Sequence, residues 1–345
     1  MSVKWTGPVS VALVAVAAMA ATAAEVSAQS YAGKTMKIIV PYGPGGTYDK
    51  YSQSFTKHLA KHIPGNPTII VQHMPGAGGG KAMNWAYNVM APDGYNLLIP
   101  LDNTVLNQLL RPEKARYDAR KFTWLGSSNQ TNQVIIIRSD TGVRSWKDLL
   151  SRTTIGASTG KASFGHITQR LASSLLGFKL KTVTGYKGSA ATTFAVEQGE
   201  AELNCNNWLA YSSKVPQWFK GDKPFARAVI QLGVFRDPDL PESVPLMGSL
   251  AKNPLDKAVI DFVGVAGLLG RGLVLPPKAP RSAAATLRAA YDKMNADPGF
   301  AAELKKRRLR LIASNGARIQ KIVGEALGKA SPEVIAQARK LIFGG

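Results

Sequence analysis

Two short glycine-rich loops, each set between a β-type run and an amphipathic helix, decide most about what this chain can fold into. Met36 to Val40 (MKIIV) has the β-branched, apolar content of a buried strand. Pro41-Tyr42-Gly43-Pro44-Gly45-Gly46-Thr47 follows as loop. Then Tyr51, Phe55, Leu59 and Ile63 recur every four residues as one apolar stripe, with Lys57 and Lys61 facing away. Pro64-Gly65 stops this helix. The order then repeats: Thr68 to Gln72 as a strand, Pro75 to Gly80 (PGAGGG) as a second glycine loop, and Lys81 to Met90 as a helix with Trp85 and Val89 inward. Pro92-Asp93-Gly94 turns the chain into a third strand, Tyr95 to Ile99. Strand, loop, helix, strand in this rhythm implies parallel strands with crossover helices, an α/β fold.

The loops also suggest chemistry. Glycine leaves backbone N–H groups open to close approach. Each loop lies at the carboxyl end of a strand, where open α/β sheets bind ligands, and leads into the positive end of a helix. That arrangement is a main-chain anion site, suited to carboxylate or phosphate; the alternative is glycines that only turn the chain. Neither loop ends in Gly-Lys-Ser/Thr, so neither is a P-loop, and Gly76-Ala77-Gly78-Gly79 lacks the spacing of a dinucleotide fingerprint.

Further strands are expected at Val134 to Arg138, Thr154 to Gly156, Leu180 to Val183 and Ala226 to Leu232. Helices are expected at Ser145 to Leu150, Phe164 to Leu176, Ser189 to Gln198, Ser282 to Ala296, Gly299 to Arg307 and Ser331 to Phe343. The mainly helical tail is expected to pack on an existing sheet. Residues 1–28 read as a signal peptide: Lys4, an Ala-rich apolar run from Val9 to Ala24, then Val26-Ser27-Ala28, with a mature start near Gln29. That run of about 16 residues is short of the roughly 20 a membrane span needs. The remaining length is enough for two domains.

Export changes the meaning of the charge. With 43 Lys+Arg against 22 Asp+Glu the formal net charge is +21, which first suggests nucleic acid or an anionic small molecule. Export to a compartment largely free of nucleic acid argues against that partner. The single cysteine, Cys205, excludes an internal disulfide and reads as a small buried side chain. His58 and His62, four apart, lack the glutamate of a zinc-protease helix and read as helix surface, so no metal is expected. Ser163 and His166 lack an acidic partner, and Ser163 reads as a helix cap. The basic run Lys305, Lys306, Arg307, Arg308 and Arg310 has no interleaved aromatics and reads as solvated surface.

Taken in order, Ile38 to Asp49 (IIVPYGPGGTYD), Pro75 to Gly80, Ala91 to Leu98 (APDGYNLL), Tyr186 to Ser189 (YKGS) and Pro241 to Pro245 resemble the Bug proteins, the receptors of tripartite tricarboxylate transporters. The resemblance runs from about Lys37 to about Leu311. It implies a two-lobed periplasmic binding protein, type II-like, each lobe a mostly parallel sheet flanked by helices. Domain 1 would comprise residues 30–133 and 262–345, and domain 2 residues 134–261, with the ligand cleft between them. The implied ligand residues are Tyr42, Gly45, Gly46, Thr47 and Asp49 in the first loop and Ala77, Gly78 and Gly79 in the second. Asp102 and Asn103 follow the third strand. From domain 2 come Ser158, Thr159, Gly160, Ser163, His166, Tyr186, Lys187, Asn204 and Asn207. Trp208 would be either an aromatic wall or core. Cys205, Trp208 and the segment Gly270-Arg271-Gly272-Leu273 depart from the family pattern.

The function implied is a monomeric, exported receptor that captures a small organic anion, a di- or tricarboxylate or an aromatic carboxylate, by lobe closure. It would deliver this ligand to the membrane subunits of a transporter, with no cofactor and no bond made or broken. The alternatives are a ligand-sensing protein for a signalling partner, and an exported enzyme acting on a carboxylated substrate.

Overall fold

The computed structural model describes residues 1–2 and 30–344. The signal-peptide reading therefore falls outside the described residues except at Met1 and Ser2. The first half-lobe forms in the order the loops dictate: β1 (Thr35–Val40), α1 (Thr47–Leu59), β2 (Thr68–His73), α2 (Gly80–Asn88), β3 (Asn96–Leu98) and α3 (Thr104–Leu110). β1 pairs in parallel with β2 and β3. On α1 the stripe Tyr51, Phe55 and Leu59 is buried, continued by Ile63, while Lys57 and Lys61 are exposed. On α2 the buried face is Ala82, Met83 and Ala86. Trp85 is half-buried, but Val89 is 66% exposed, because the helix ends at Asn88 and Val89 leaves helical geometry.

β4 (Thr123–Ser127) completes this stretch, and the chain then enters a second sheet. That lobe contains β5 (Gln133–Arg138), β6 (Thr153–Ser158), α4 (Phe164–Leu176), β7 (Lys179–Thr184), α5 (Ser189–Glu197), β8 (Leu203–Asn207), α6 (Trp208–Ser212), β9 (Ala226–Leu232) and α7 (Pro254–Gly264). The helix expected at Ser145 to Leu150 is a 3-10 turn over Trp146–Ser151, held by a capping box between Ser145 and Asp148. The chain returns through β10 (Gly272–Leu275), α8 (Arg281–Ala296), α9 (Pro298–Lys306), β11 (Ser314–Asn315), α10 (Gly316–Lys329) and α11 (Pro332–Phe343).

The strand orders are β11-β4-β10-β3-β1-β2 and β7-β6-β8-β5-β9. Both sheets are mixed rather than mostly parallel. β4, β10 and β11 pair antiparallel in the first, and β5 with β8 and β9 in the second. The parallel parts, which carry the glycine loops, end at the cleft.

The tail divides between the lobes. Leu287, Tyr291, Ile319 and Val323 of α8 and α10 join the core of the first sheet. The last helix, α11, buries Ala338 and Ile342 in the core of the second sheet with Leu171 and Val259. Its apolar stripe fits α4 and α7, so the boundary that gave all of 262–345 to the first domain is corrected there.

Two surface readings are also corrected. His58 is 3% exposed, and its Nε2 lies 2.8 Å from Glu303 Oε2 under α9. His62 reaches Asp297 at 3.3 Å. The basic run is exposed only in part: Arg310 donates two bonds, of 2.9 and 2.6 Å, to the buried carboxylate of Asp237 in the segment after β9.

Burial by itself would raise the pKa of Glu303, but hydrogen bonds from His58 and Lys57 and the charge of Arg307 outweigh it and lower it to about 2. A carboxyl depressed in the folded state contributes stability above its unfolded pKa, and that stability is lost as pH falls from about 4.5 toward 2. Glu303→Gln is expected to cost about 2 kcal/mol at neutral pH and little near the acid end of that window. Urea melts across pH would read this. Parallel stability curves for the two proteins would remove Glu303 as the source.

Candidate functional site

The cleft cavity forms where loops from both sheets meet. From the first lobe it is lined by Tyr42, Gly46, Thr47, Tyr48, Asp102 and Arg271, and from the second by Gln133, Ser158, Thr159, Ser163, Phe164, Gly165, Ser189, Thr192, Cys205, Asn206 and Asn207. Its free volume is about 40 Å³, room for a few water molecules.

Helix N-termini dominate its electrostatics. α1 and α4, each of 13 residues, and α5, of 9, all begin at this wall, at Thr47, Phe164 and Ser189. Gly46 and Gly188, the residues before α1 and α5, make no side-chain cap, so their first N–H groups have no local side-chain acceptor. Ser163 caps α4 by accepting from His166 N at 3.3 Å. Each terminus acts as roughly half a positive charge, which favours an anion between them.

One full charge pair is built into the wall. Arg271, 1% exposed, donates to Asp102 Oδ2 at 2.9 Å and lies 3.8 Å from the centre of the Tyr48 ring. Its Nε has no hydrogen-bond partner among the described residues. Arg271 Nη2 donates to Thr47 Oγ1 at 3.3 Å, and Asn207 Nδ2 donates to the same oxygen at 3.0 Å from the other lobe. With two bonds accepted, the Thr47 hydroxyl keeps its own hydrogen to give away. Burial chiefly, with the nearby Asp102 charge, raises the phenol pKa of Tyr42, and burial raises that of Tyr48 as well, so both stay protonated donors. Burial likewise pushes the Cys205 thiol up, which leaves it without nucleophilic character.

Of the residues expected from sequence, Tyr42, Gly46, Thr47, Asp102, Ser158, Thr159, Ser163 and Asn207 come together on the cavity wall. The second glycine loop does not line it. Gly76, Ala77, Gly78 and Gly79 all have positive φ, and Gly78 is pressed against Gly160 and the Ser163 amide of the other lobe. This loop and Gly160 form a closure contact, reinforced by Tyr42 Oη donating to Gly78 O at 2.9 Å. Gly45 and Asp49 also stand back: Asp49 accepts from Gly45 N at 2.9 Å and bonds His73 at 2.8 Å, which fixes the loop from behind. Lys187 acts through its backbone, accepting from Gly43 N at 2.6 Å.

Other expected residues serve the frame. Asn103 Nδ2 donates to Ala162 O across the lobes at 2.8 Å. Tyr186 Oη donates to Glu200 at 2.9 Å, away from the cavity. Asn204 is fully buried behind the wall, bonded by Asn206 and Tyr211. His166 is buried and held neutral, its pKa lowered to about 4 by burial first and then by Arg170, Lys161 and Arg111. Trp208 is core: it packs on Phe219 and Tyr211, with ring centres 5.1 and 6.3 Å away. Sequence reasoning missed Tyr48, Gln133, Phe164, Gly165, Ser189 and Thr192. Tyr48 and Ser189 lie inside motifs that were read, Ile38 to Asp49 and Tyr186 to Ser189, and that membership was the signal. Arg271 was noted only as a departure from pattern.

This geometry has the form of a two-lobed periplasmic binding protein, and solved structures share it. The periplasmic binding protein BugD matches with a TM-score of 0.73 at 19% identity, over 90% of this chain and 98% of that one. MatC from Rhodopseudomonas palustris, solved with malate, matches at 0.68 and 20% identity over 89% and 98%. R. palustris Rpa4515, solved with adipate, matches at 0.69 and 18% over 88% and 97%. In sequence, a UPF0065 protein of Bordetella pertussis is 24% identical over 200 residues, 55% of this chain and 59% of the relative. Protein BugT of the same organism is 38% identical over 82 residues, 24% of each chain. The chain thus spans less than two thirds of the curated relatives it matches. No family model matches. Together these relationships show that the chain has the fold of the periplasmic binding proteins.

Proposed function

We propose that this chain is a periplasmic solute receptor that closes its lobes on a small organic carboxylate and passes it to tripartite-type membrane subunits. The observation that carries the reading is the convergence of the N-termini of α1, α4 and α5 on one cavity whose wall also holds a buried guanidinium. The lobes are residue 30 through β4 together with β10 through α10, and β5 through α7 together with α11. Ligand contacts come from Thr47, Arg271 and the α1 amides on one side, and from Ser158, Thr159, Ser163, Ser189 and Asn207 on the other. The malate and adipate bound by structural neighbours agree with a carboxylate ligand.

The cavity is walled by both lobes, so binding requires them to part and re-close around the ligand. Binding by amide and hydroxyl donors makes no covalent bond, and the buried Cys205 and neutral His166 supply no nucleophile with its base. The proposed export depends on the leader at residues 1–28, cleaved near Gln29.

A thermal-shift screen against di- and tricarboxylates, aromatic carboxylates, sugars and metal ions tests the reading. A carboxylate at about 100 times its dissociation constant is expected to stabilise the protein by about 2.7 kcal/mol. Stabilisation by neutral sugars or metals with none by any carboxylate would overturn it.

A further inference from the structure

A second groove, of about 240 Å³, lies at the joint between the lobes, lined by Ala77, Gly80 and Lys81 of the first lobe and reaching Ala162 of the second. Four cations line it, Lys81, Arg111, Lys114 and Arg116, and among the described residues no acidic one does. Their placement is fixed by the fold. Asn84 of α2 donates from Nδ2 to Lys114 O and accepts from Arg116 N, both at 2.9 Å, and so holds the 114–116 segment against α2. The Arg111 guanidinium lies 5.6 Å from the centre of the Phe343 ring.

Asn107 supplies an independent observation. It lines this groove, is 4% exposed, and donates from Nδ2 to Ala162 O across the joint at 2.8 Å. Its Oδ1 is buried without a partner among the described residues. A buried, unpartnered acceptor on the wall of a groove that carries four cations is matched by an anion that itself carries an O–H, and not by a fully deprotonated one.

We infer that this groove is a second anion site, separate from the cleft, that takes a protonated multivalent oxyanion of the hydrogen-phosphate class. Arg111, Lys114 and Lys81 bind the charged oxygens, and Asn107 Oδ1 accepts from the anion's O–H.

Calorimetric titration of the full chain with inorganic phosphate tests this at neutral pH and fixed ionic strength, without carboxylate and with sulfate as the comparison. Saturable phosphate binding is expected, tighter than sulfate binding. The double variant Arg111→Gln/Lys114→Gln is expected to weaken it about tenfold or more. Asn107→Leu is expected to bring the phosphate and sulfate affinities together, a ratio that a general loosening of the joint would not change. Phosphate heats no larger than those of chloride, binding unchanged in the double variant, or phosphate displaced competitively by a cleft carboxylate would each overturn the proposal. The titration is independent of the carboxylate screen, so either reading can fail while the other stands.

Discussion

Arg271→Met is expected to lower stability by about 3–5 kcal/mol, because it strands Asp102 as a buried, unpaired carboxylate. The side chains of Arg271 and Asp102 are 1% and 6% exposed, so bulk water does not replace the lost partner, and the cavity admits only a few molecules. Asp102 would keep its own acceptor contact with Asn103 N at 3.1 Å, too little for a buried charge. The double variant Arg271→Met/Asp102→Leu is expected to recover most of that loss, since removing both charges also removes the cost of desolvating them. Arg271→Lys keeps the charge but loses the planar fork and the stacking on Tyr48, so it falls between. Carboxylate affinity is expected to drop about 10- to 100-fold in Arg271→Met and to stay low in the double variant. That separates the two roles: stability returns with the second substitution and binding does not. Urea denaturation with calorimetric titration reads both. A single variant within about 1 kcal/mol of the parent, binding equally well, would show that the pair neither holds the wall nor meets the ligand.

The difference between what sequence shows and what it hides follows from range. The β1 to β3 stretch was legible because its signals are local: a four-residue stripe on α1, glycines at the turns and β-branched runs between them. Val89 was misread because helix ends are set by capping geometry within one turn, which apolar periodicity does not register. The antiparallel strands β4, β10 and β11 carry no pattern of their own. β10 is the four-residue stretch Gly272–Leu275, buried throughout, and only its return from the second lobe sets its direction. The site divides in the same way. Thr47 and Ser163 were readable because each sits at a helix start announced by its neighbours. Arg271 and Asp102 are 169 residues apart, and their pairing exists only once β3 and β10 lie side by side. The second glycine loop was recognised as a loop, but its use as a closure contact depends on Gly160, which lies far along the chain.

Gly78→Val is expected to leave both lobes folded and to weaken carboxylate binding about 100-fold by holding them apart. Gly78 has φ +68, and a Cβ there would lie 2.7 Å from Ser163 N and 2.8 Å from Gly160 O. Both neighbours are backbone, so neither can rotate away. The only movement that relieves the contact without unfolding a strand is separation of the lobes. Gly46→Val meets a softer obstacle: its Cβ would lie 2.6 Å from Ser189 Oγ, the end of a side chain that has other rotamers, and its φ of −84 suits any residue. The effect on binding is therefore expected to be larger at Gly78, although Gly46 lines the cavity and Gly78 does not. Gly160→Val should reproduce the Gly78 result from the opposite lobe, since its Cβ would lie 2.8 Å from Gly78 N. Small-angle scattering with saturating ligand reads the separation directly, with the parent compacting and both variants staying open. Compaction equal to the parent, with affinity within about threefold, would mean that closure does not run through this contact. The affinity of the parent then has to be set at the α1, α4 and α5 termini alone.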